Sequence, residues 1–232
     1  MIAVVDCGRG NLGSVERVFA RVGVPAVVTQ EPRVIDEADA VVFPGDGAFH
    51  DSMASLAALG LLAPVRRALD GRRPFLGICI GYQLLFSTSD EFGEGQGLDV
   101  IPGVVRRFPG GLDVPHMGWN RVWHGGELRL FEGIPDGAHF YFVHSYFPVV
   151  AAGARTGSTE GGLAGGARGS DTPGHRVRQA WCEYGVRFAA AIETGSIYAT
   201  QFHPEKSGRG AGIRLLENFA AIVKASGARS VR

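Results

Sequence analysis

Phe75-Leu-Gly-Ile-Cys79-Ile-Gly-Tyr-Gln83 is the stretch on which the fold turns. Phe75–Ile78 is a short apolar run, as expected of a strand buried on both faces. It flows through Cys79 into a helical-looking segment, Tyr82–Phe86. A residue at such a strand-to-helix turn sits on strained backbone and projects its side chain at the top of a sheet. Glycines on either side let neighbouring backbone pass without Cβ clashes, and Gly77 and Gly81 hold those places. Cys79 is therefore a candidate nucleophile. A helix N-terminus behind it favours thiolate, and the amide of Ile80 points where a tetrahedral oxyanion would form. The competing reading is a buried structural cysteine at a glycine-lined strand end.

Toward the N-terminus the same strand–helix alternation repeats. Ile2–Val5, Ala26–Thr29 and Ala40–Phe43 are β-type runs. Leu12, Val15, Val18, Phe19 and Val22 recur at helical spacing and Gly23 closes that helix. Asp51 is placed to cap a helix running to about Leu59, and another covers Leu61–Leu69 before Gly71. Apolar strands between helices predict a parallel sheet covered on both faces.

Toward the C-terminus the character changes. His139–Val143, Ala180–Tyr184, Phe188–Ile192 and Ile197–Phe202 read as strands with little helix between them, and Thr194-Gly195 as a hairpin turn. Ile213, Leu216, Phe219, Ile222 and Val223 mark a final amphipathic helix. The expectation is one α/β domain over residues 1–232: a mainly parallel sheet with an added antiparallel β portion. Residues 151–175 stand apart, with eight glycines in 25 positions and Leu163 the only large aliphatic side chain. Such a segment buries too little apolar surface to offset its ordering entropy, so a flexible surface insertion is expected.

Composition narrows the function classes. The 232 residues carry 23 Lys+Arg and 23 Asp+Glu, a formal net charge of zero. No general attraction to nucleic acid or to an anionic membrane follows. Three cysteines, Cys7, Cys79 and Cys182, lie far apart with no C-x-x-C pair, which points to a reducing compartment. The N-terminus lacks a basic region before its apolar run, and no stretch approaches 18 apolar residues. A cytoplasmic protein is expected.

A second element joins the cysteine. Gln201-Phe-His-Pro-Glu-Lys-Ser207 follows a strand and places an acid two residues after a histidine. In extended chain, residues i and i+2 project to one side. Glu205 can then orient the His203 ring, and His203 can draw a proton from Cys79, the logic of a nucleophile, a base and an orienting acid. A third element, Pro44-Gly-Asp-Gly47, ends another strand. Its exposed amides could complete an oxyanion hole with Ile80 through Gly47, although the pattern alone is only a tight turn.

With these elements in view the chain resembles the class I glutamine amidotransferases, Cys-His-Glu glutaminases. More closely, it is similar to the branch serving as glutaminase subunit of imidazole glycerol phosphate synthase in histidine biosynthesis. The narrower resemblance rests on Gly8-x-Gly-Asn11, Pro115-His-Met-Gly-Trp-Asn120, Tyr141-Phe-Val-His-Ser-Tyr146 and the Gln201–Ser207 string. It implies a flavodoxin-like α/β fold and a glutamyl thioester on Cys79, with His203 moving protons and Glu205 orienting it. It implies that Gln83, Glu91, Ser145 and Tyr146 grip the α-amino and α-carboxylate groups of glutamine. It implies a heterodimer with a (β/α)₈ cyclase subunit that receives the ammonia. Asn11, Trp119, Asn120, Tyr141 and Lys206 then fall at or near that interface. Two departures stand out. Asp46 replaces the usual valine beside the oxyanion turn, and its carboxylate is expected to face solvent or pair with an arginine. Tyr82 replaces a methionine and is expected simply to pack.

Competing signals exist. Gly8-Arg-Gly-Asn-Leu-Gly13 fits G-x-G-x-x-G after a strand and before a helix, with Glu31 beyond it, as in a dinucleotide-dependent oxidoreductase. That reading leaves the Cys79 turn and the His203–Glu205 pair unexplained. A non-catalytic partner-binding module would keep the fold without the chemistry, and the glutaminase of a different amidotransferase would keep both while feeding another synthase. His116, His124, His139, His144 and His175 show no ligand spacing, so neither a metal nor a cofactor is expected.

Overall fold

A computed structural model describes residues 1–156 and 175–227. The chain runs β1 (Ile2–Val5), α1 (Leu12–Arg21), β2 (Ala26–Thr29), α2 (Pro32–Glu37), β3 (Ala40–Phe43), α3 (Phe49–Ala58), α4 (Leu62–Ala68), β4 (Phe75–Ile78) and α5 (Ile80–Gln83). Six strands follow: β5 (Phe86–Ser89), β6 (Gly95–Gln96), β7 (Ile101–Arg107), β8 (His116–Val122), β9 (Ala138–His144) and β10 (Tyr146–Val150). Then come β11 (Arg155–Thr156), β12 (His175–Arg176), β13 (Arg178–Tyr184), β14 (Val186–Thr194), β15 (Ile197–Thr200) and α6 (Ile213–Gly227).

Among the described residues, seven strands form the main sheet in the order β13-β14-β15-β4-β3-β1-β2. The five from β2 to β15 pair in parallel and give the 2-1-3-4-5 order of the flavodoxin-like arrangement. β13 and β14 extend it antiparallel. The reason lies in the strands' side chains: every residue of β1, β3, β4 and β15 is buried, so both faces need cover. Two apolar clusters supply it. One joins α1 and α6 to aromatic rings of the β8–β9 ribbon; the other joins α2, α3, α4 and β5. Phe140 and Phe202 stack at 4.1 Å between ring centres and tie that ribbon to the end of β15.

Three expectations are corrected at the level of elements. The helix after Cys79 is one turn, Ile80–Gln83, and the chain is already strand at Phe86. Strand-like pairing captures it: the amides of Leu98 and Ile101 donate to the carbonyls of Leu84 and Leu85, at 2.8 and 2.9 Å. Asp51 lies inside the first turn of α3 and pairs with Arg9, while the cap position is Ala48. The β14–β15 turn is Gly195-Ser196, because Thr194 is still paired with Ile197. Of the segment expected to be flexible, residues 157–174 lie outside the described residues; at its ends Arg155 and Thr156 pair antiparallel with Arg176 and His175.

Candidate active site

The site stands where β4, β3 and β15 end side by side. The Thr200–Ile78 register continues past the strand, and the Cys79 amide donates to the Thr200 carbonyl at 2.8 Å. Cys79 itself turns to φ 55°, ψ −105°, a conformation that L residues avoid without tertiary support. Its glycine neighbours are required by contact. A Cβ on Gly81 would lie 1.9 Å from the Phe43 carbonyl oxygen, and one on Gly77 would lie 2.6 Å from the Gly81 carbonyl oxygen. A Cβ on Gly45 would strike the Ile80 side chain at 2.4 Å. β3, the 44–47 turn and the Cys79 turn therefore pack with no room for any side chain at these positions.

His203 follows β15 and is held from both sides. Its amide donates to the Tyr141 carbonyl at 2.9 Å, and Ser207 Oγ donates to its carbonyl at 2.6 Å. Nδ1 faces Glu205 Oε1 at 2.9 Å, with both side chains 3% exposed. The acid comes not from an extended strand but from the short helical turn Pro204–Lys206. Nε2 has no hydrogen-bond partner and lies within 4.8 Å of Cys79 Sγ. Burial opposes the charged ring, yet the neighbouring Cys79 sulfur and the Glu205 carboxylate outweigh it and raise the His203 pKa to about 10. Imidazolium is the resting form at neutral pH.

A cavity of about 370 Å³ opens over Cys79 and the 46–47 turn. It is lined by Cys79, Ile80, Gly47, Gln83, Glu91, Ser145 and Tyr146, which sequence reasoning assigns separately to nucleophile, oxyanion turn and substrate grip. Gln83 Nε2 donates to the Tyr146 carbonyl and to Gln201 Oε1, each at 3.0 Å. Glu91 Oε2 accepts the Phe49 amide at 2.6 Å; burial raises its carboxyl pKa, and that hydrogen bond opposes the rise. A second cavity of about 430 Å³ lies away from the nucleophile, along β10, β13 and β14.

Asp46 departs from expectation. Its side chain is 45% exposed, yet its partners are not an arginine: Oδ1 is 3.6 Å from His203 Nε2 and Oδ2 is 3.9 Å from Lys206 Nζ. Arg9 instead lies against Gly47 and pairs with Asp51. Tyr82 packs as expected, fully buried, with its hydroxyl donating to the Ala189 carbonyl at 3.3 Å.

Sequence reasoning misses Gln201, yet it is wholly buried and its Nε2 donates to Cys79 Sγ at 3.7 Å. Its place one residue beyond the strand paired with β4 is the signal that could have found it. The His116–His144 pair, which in sequence reads only as two histidines without ligand spacing, forms a relay. Asn120 Nδ2 donates to His116 Nε2 at 3.2 Å, His116 Nδ1 meets His144 Nε2 at 3.0 Å, and His144 Nδ1 donates to the Tyr146 carbonyl at 2.8 Å. Burial lowers the two histidine pKa values to about 4 and about 3, so both rings are neutral.

Of the five residues expected at an interface, Trp119 and Tyr141 pair across the β8–β9 ribbon. Trp119 is 56% exposed and meets Tyr141 edge-on at 6.1 Å. Asn120 and Lys206 are half-buried, and Asn11 is exposed. The glycines of the G-x-G-x-x-G motif have a packing reason as well, since a Cβ on Gly10 would lie 3.1 Å from Gly45 Cα.

Residues 3–223 match the sequence pattern of the class-I glutamine amidotransferases. The chain belongs to that family. Subunit HisH of imidazole glycerol phosphate synthase from Moorella thermoacetica is 44% identical over 227 residues, covering 97% of each chain. The HisH subunit from Geobacter sulfurreducens is 45% identical, covering 95% of this chain and 98% of its own. That from Methanothermobacter thermautotrophicus is 44% identical, covering 97% and 100%. Among solved structures, one glutamine amidotransferase superposes with a TM-score of 0.66 at 20% identity, over 96% of this chain and 98% of its own. A glutamine amidotransferase from Thermotoga maritima gives 0.57 at 16%, over 99% and 84%; these two likenesses bear on the fold. The chain is thus a glutamine amidotransferase, and the Cys79 turn is where its family chemistry is to be sought.

Proposed function

We propose that this chain is the glutaminase subunit of imidazole glycerol phosphate synthase and that Cys79, His203 and Glu205 carry its chemistry. Cys79 Sγ attacks the side-chain carboxamide carbon of L-glutamine. The carbonyl oxygen takes the negative charge against the backbone amides of Ile80 and Gly47. His203, protonated on Nε2, gives that proton to the departing nitrogen, and ammonia leaves a glutamyl thioester on Cys79. His203 then takes a proton from water, which adds to the thioester carbon and releases glutamate. Glu205 keeps Nδ1 engaged so that Nε2 faces the sulfur throughout. Gln83, Glu91, Ser145 and Tyr146, in the same cavity, hold the amino-acid end of the substrate.

Ammonia passes to a (β/α)₈ cyclase subunit docked across Asn11, Trp119, Asn120, Tyr141 and Lys206, in a cytoplasmic heterodimer. What supports the partner is the HisH name carried by relatives that align from end to end, together with the exposed Trp119.

The observation that carries the reading is the unpartnered His203 Nε2 beside the Cys79 sulfur, with Glu205 on the other ring nitrogen. A glutamine-like electrophile tests it. Burial raises the thiol pKa of Cys7 and pushes that of Cys182 up to about 12. Cys79 should therefore be alkylated at least roughly a hundredfold faster than either, and Cys79→Ser should abolish both labelling and glutamate release. Undiminished glutamate release by Cys79→Ser would refute the mechanism.

A further inference from the structure

Three donors that the chain order keeps far apart come together at the Cys79 turn. Cys79 Sγ, His203 Nε2 and a carboxylate oxygen of Asp46 lie within 4.8 Å of one another. We infer that they form a binding site for one thiophilic divalent cation, Zn²⁺ in the first place, which occupies the nucleophile and the base together and so shuts the site reversibly.

The donor set suits that ion once the Nε2 proton of His203 is released to solvent, so binding should tighten as pH rises. Thiolate, imidazole and carboxylate at about 2.0–2.3 Å are ordinary zinc ligands, and three of them with one open position make an incomplete tetrahedron. The edges of such a tetrahedron are about 3.3–3.7 Å from those bond lengths. The Asp46–His203 pair already stands at 3.6 Å. The other pairs, within 4.8 Å, need to close by at most about 1.5 Å to reach such edges.

A second observation points independently to a ligand here. His203 is 3% exposed, yet its Nε2 has no hydrogen-bond partner, while Nδ1 is fixed by Glu205. A carboxylate on the far nitrogen of a histidine is the usual outer support of a zinc-bound imidazole. Lys206 approaches Asp46 through Oδ2 at 3.9 Å, leaving Oδ1 as the oxygen turned toward His203. Valine at position 46 would leave only sulfur and nitrogen, too few protein ligands for a tight site.

The test uses the full chain, freed of metal by a chelator, and reads binding apart from catalysis. Titration with Zn²⁺ against a chromophoric competitor should show one bound equivalent. Co²⁺ in its place should give a thiolate-to-cobalt absorption band that Cys79→Ser removes. Asp46→Val should weaken Zn²⁺ binding by at least roughly tenfold with an unchanged circular dichroism spectrum, and Asp46→Glu should restore part of it. Glutaminase inhibition by Zn²⁺, scaled to each variant's own uninhibited rate, should follow the same order. Absence of a bound equivalent, equal affinity in Asp46→Val, or a cobalt band surviving Cys79→Ser would each overturn the assignment. Binding does not depend on the glutaminase reading: loss of the metal with activity intact sinks only this inference, and a metal bound to an inactive chain sinks only that reading.

Discussion

At the scale of single residues, the site is an ionic arrangement supported by contacts that tolerate no substitution. Imidazolium at position 203 owes its persistence to the Cys79 sulfur and the Glu205 carboxylate acting against burial. The folded pKa, about 10, lies above the ordinary 6.5. Its contribution to stability is therefore fully present below pH 6.5 and is lost as pH rises through about 10. The same proton is the one handed to the leaving nitrogen, so the alkaline limb of kcat/KM should lie close to pH 10. Glu205→Gln keeps a hydrogen-bond acceptor for Nδ1 and removes the charge. Its alkaline limb should move to lower pH and kcat should fall by roughly tenfold to a thousandfold. A pH–rate profile with chelator present decides it, and an unmoved limb would refute the assigned role of Glu205.

At the scale of elements, the β8–β9 ribbon carries a relay whose hydrogen bonds permit only neutral rings. His144 donates through Nδ1 to a carbonyl and accepts through Nε2 from His116, which in turn accepts from Asn120. A second proton on either ring would face a donor. Folded pKa values of about 4 and about 3, against 6.5 when exposed, mean that the unfolded chain binds more protons between those limits. Stability then rises with pH across that window and is lost on acidification, by about 2 kcal/mol per ring at about pH 5. The thermal midpoint should drop by roughly 5–10 °C between about pH 7 and about pH 5. His144→Gln can donate to the Tyr146 carbonyl and accept from His116 without titrating. About half of the acid-induced drop should vanish in that variant, and an identical drop measured by calorimetry would rule out the relay as its source.

At the scale of the molecule, the main sheet brings three strand ends to one edge, and the chain between 157 and 174 joins two strands, β11 and β12, that are already paired. Replacing those 18 residues by a short Gly-Ser linker from Thr156 to His175 keeps that pairing. Glutaminase kcat should stay within about twofold, since the cost of closing a loop changes only slowly with its length. A loss of roughly tenfold or more would give the segment a part in the chemistry.

Alternating apolar runs and glycine signals sufficed to show a mainly parallel sheet, because a strand covered on both faces must be apolar throughout, as β1, β3 and β4 are. They also marked Cys79, His203 and Glu205, since local chain geometry leaves its trace in glycine and in short spacing. The single turn of α5, and the burial of Gln201 against the sulfur, left no such trace: each is set by pairing with residues distant in the chain. Asp46 shows the division most sharply. Its identity at a glycine-flanked turn was readable, but the direction of its carboxylate depends on how β3 and β15 lie across the sheet. That placement brings a carboxylate that is still 45% exposed to 3.6 Å from His203 Nε2. Sequence alone determined which residues could react, because chemistry belongs to side-chain type; only the tertiary structure decided which of them meet, because distance between strand ends is a property of the packed sheet.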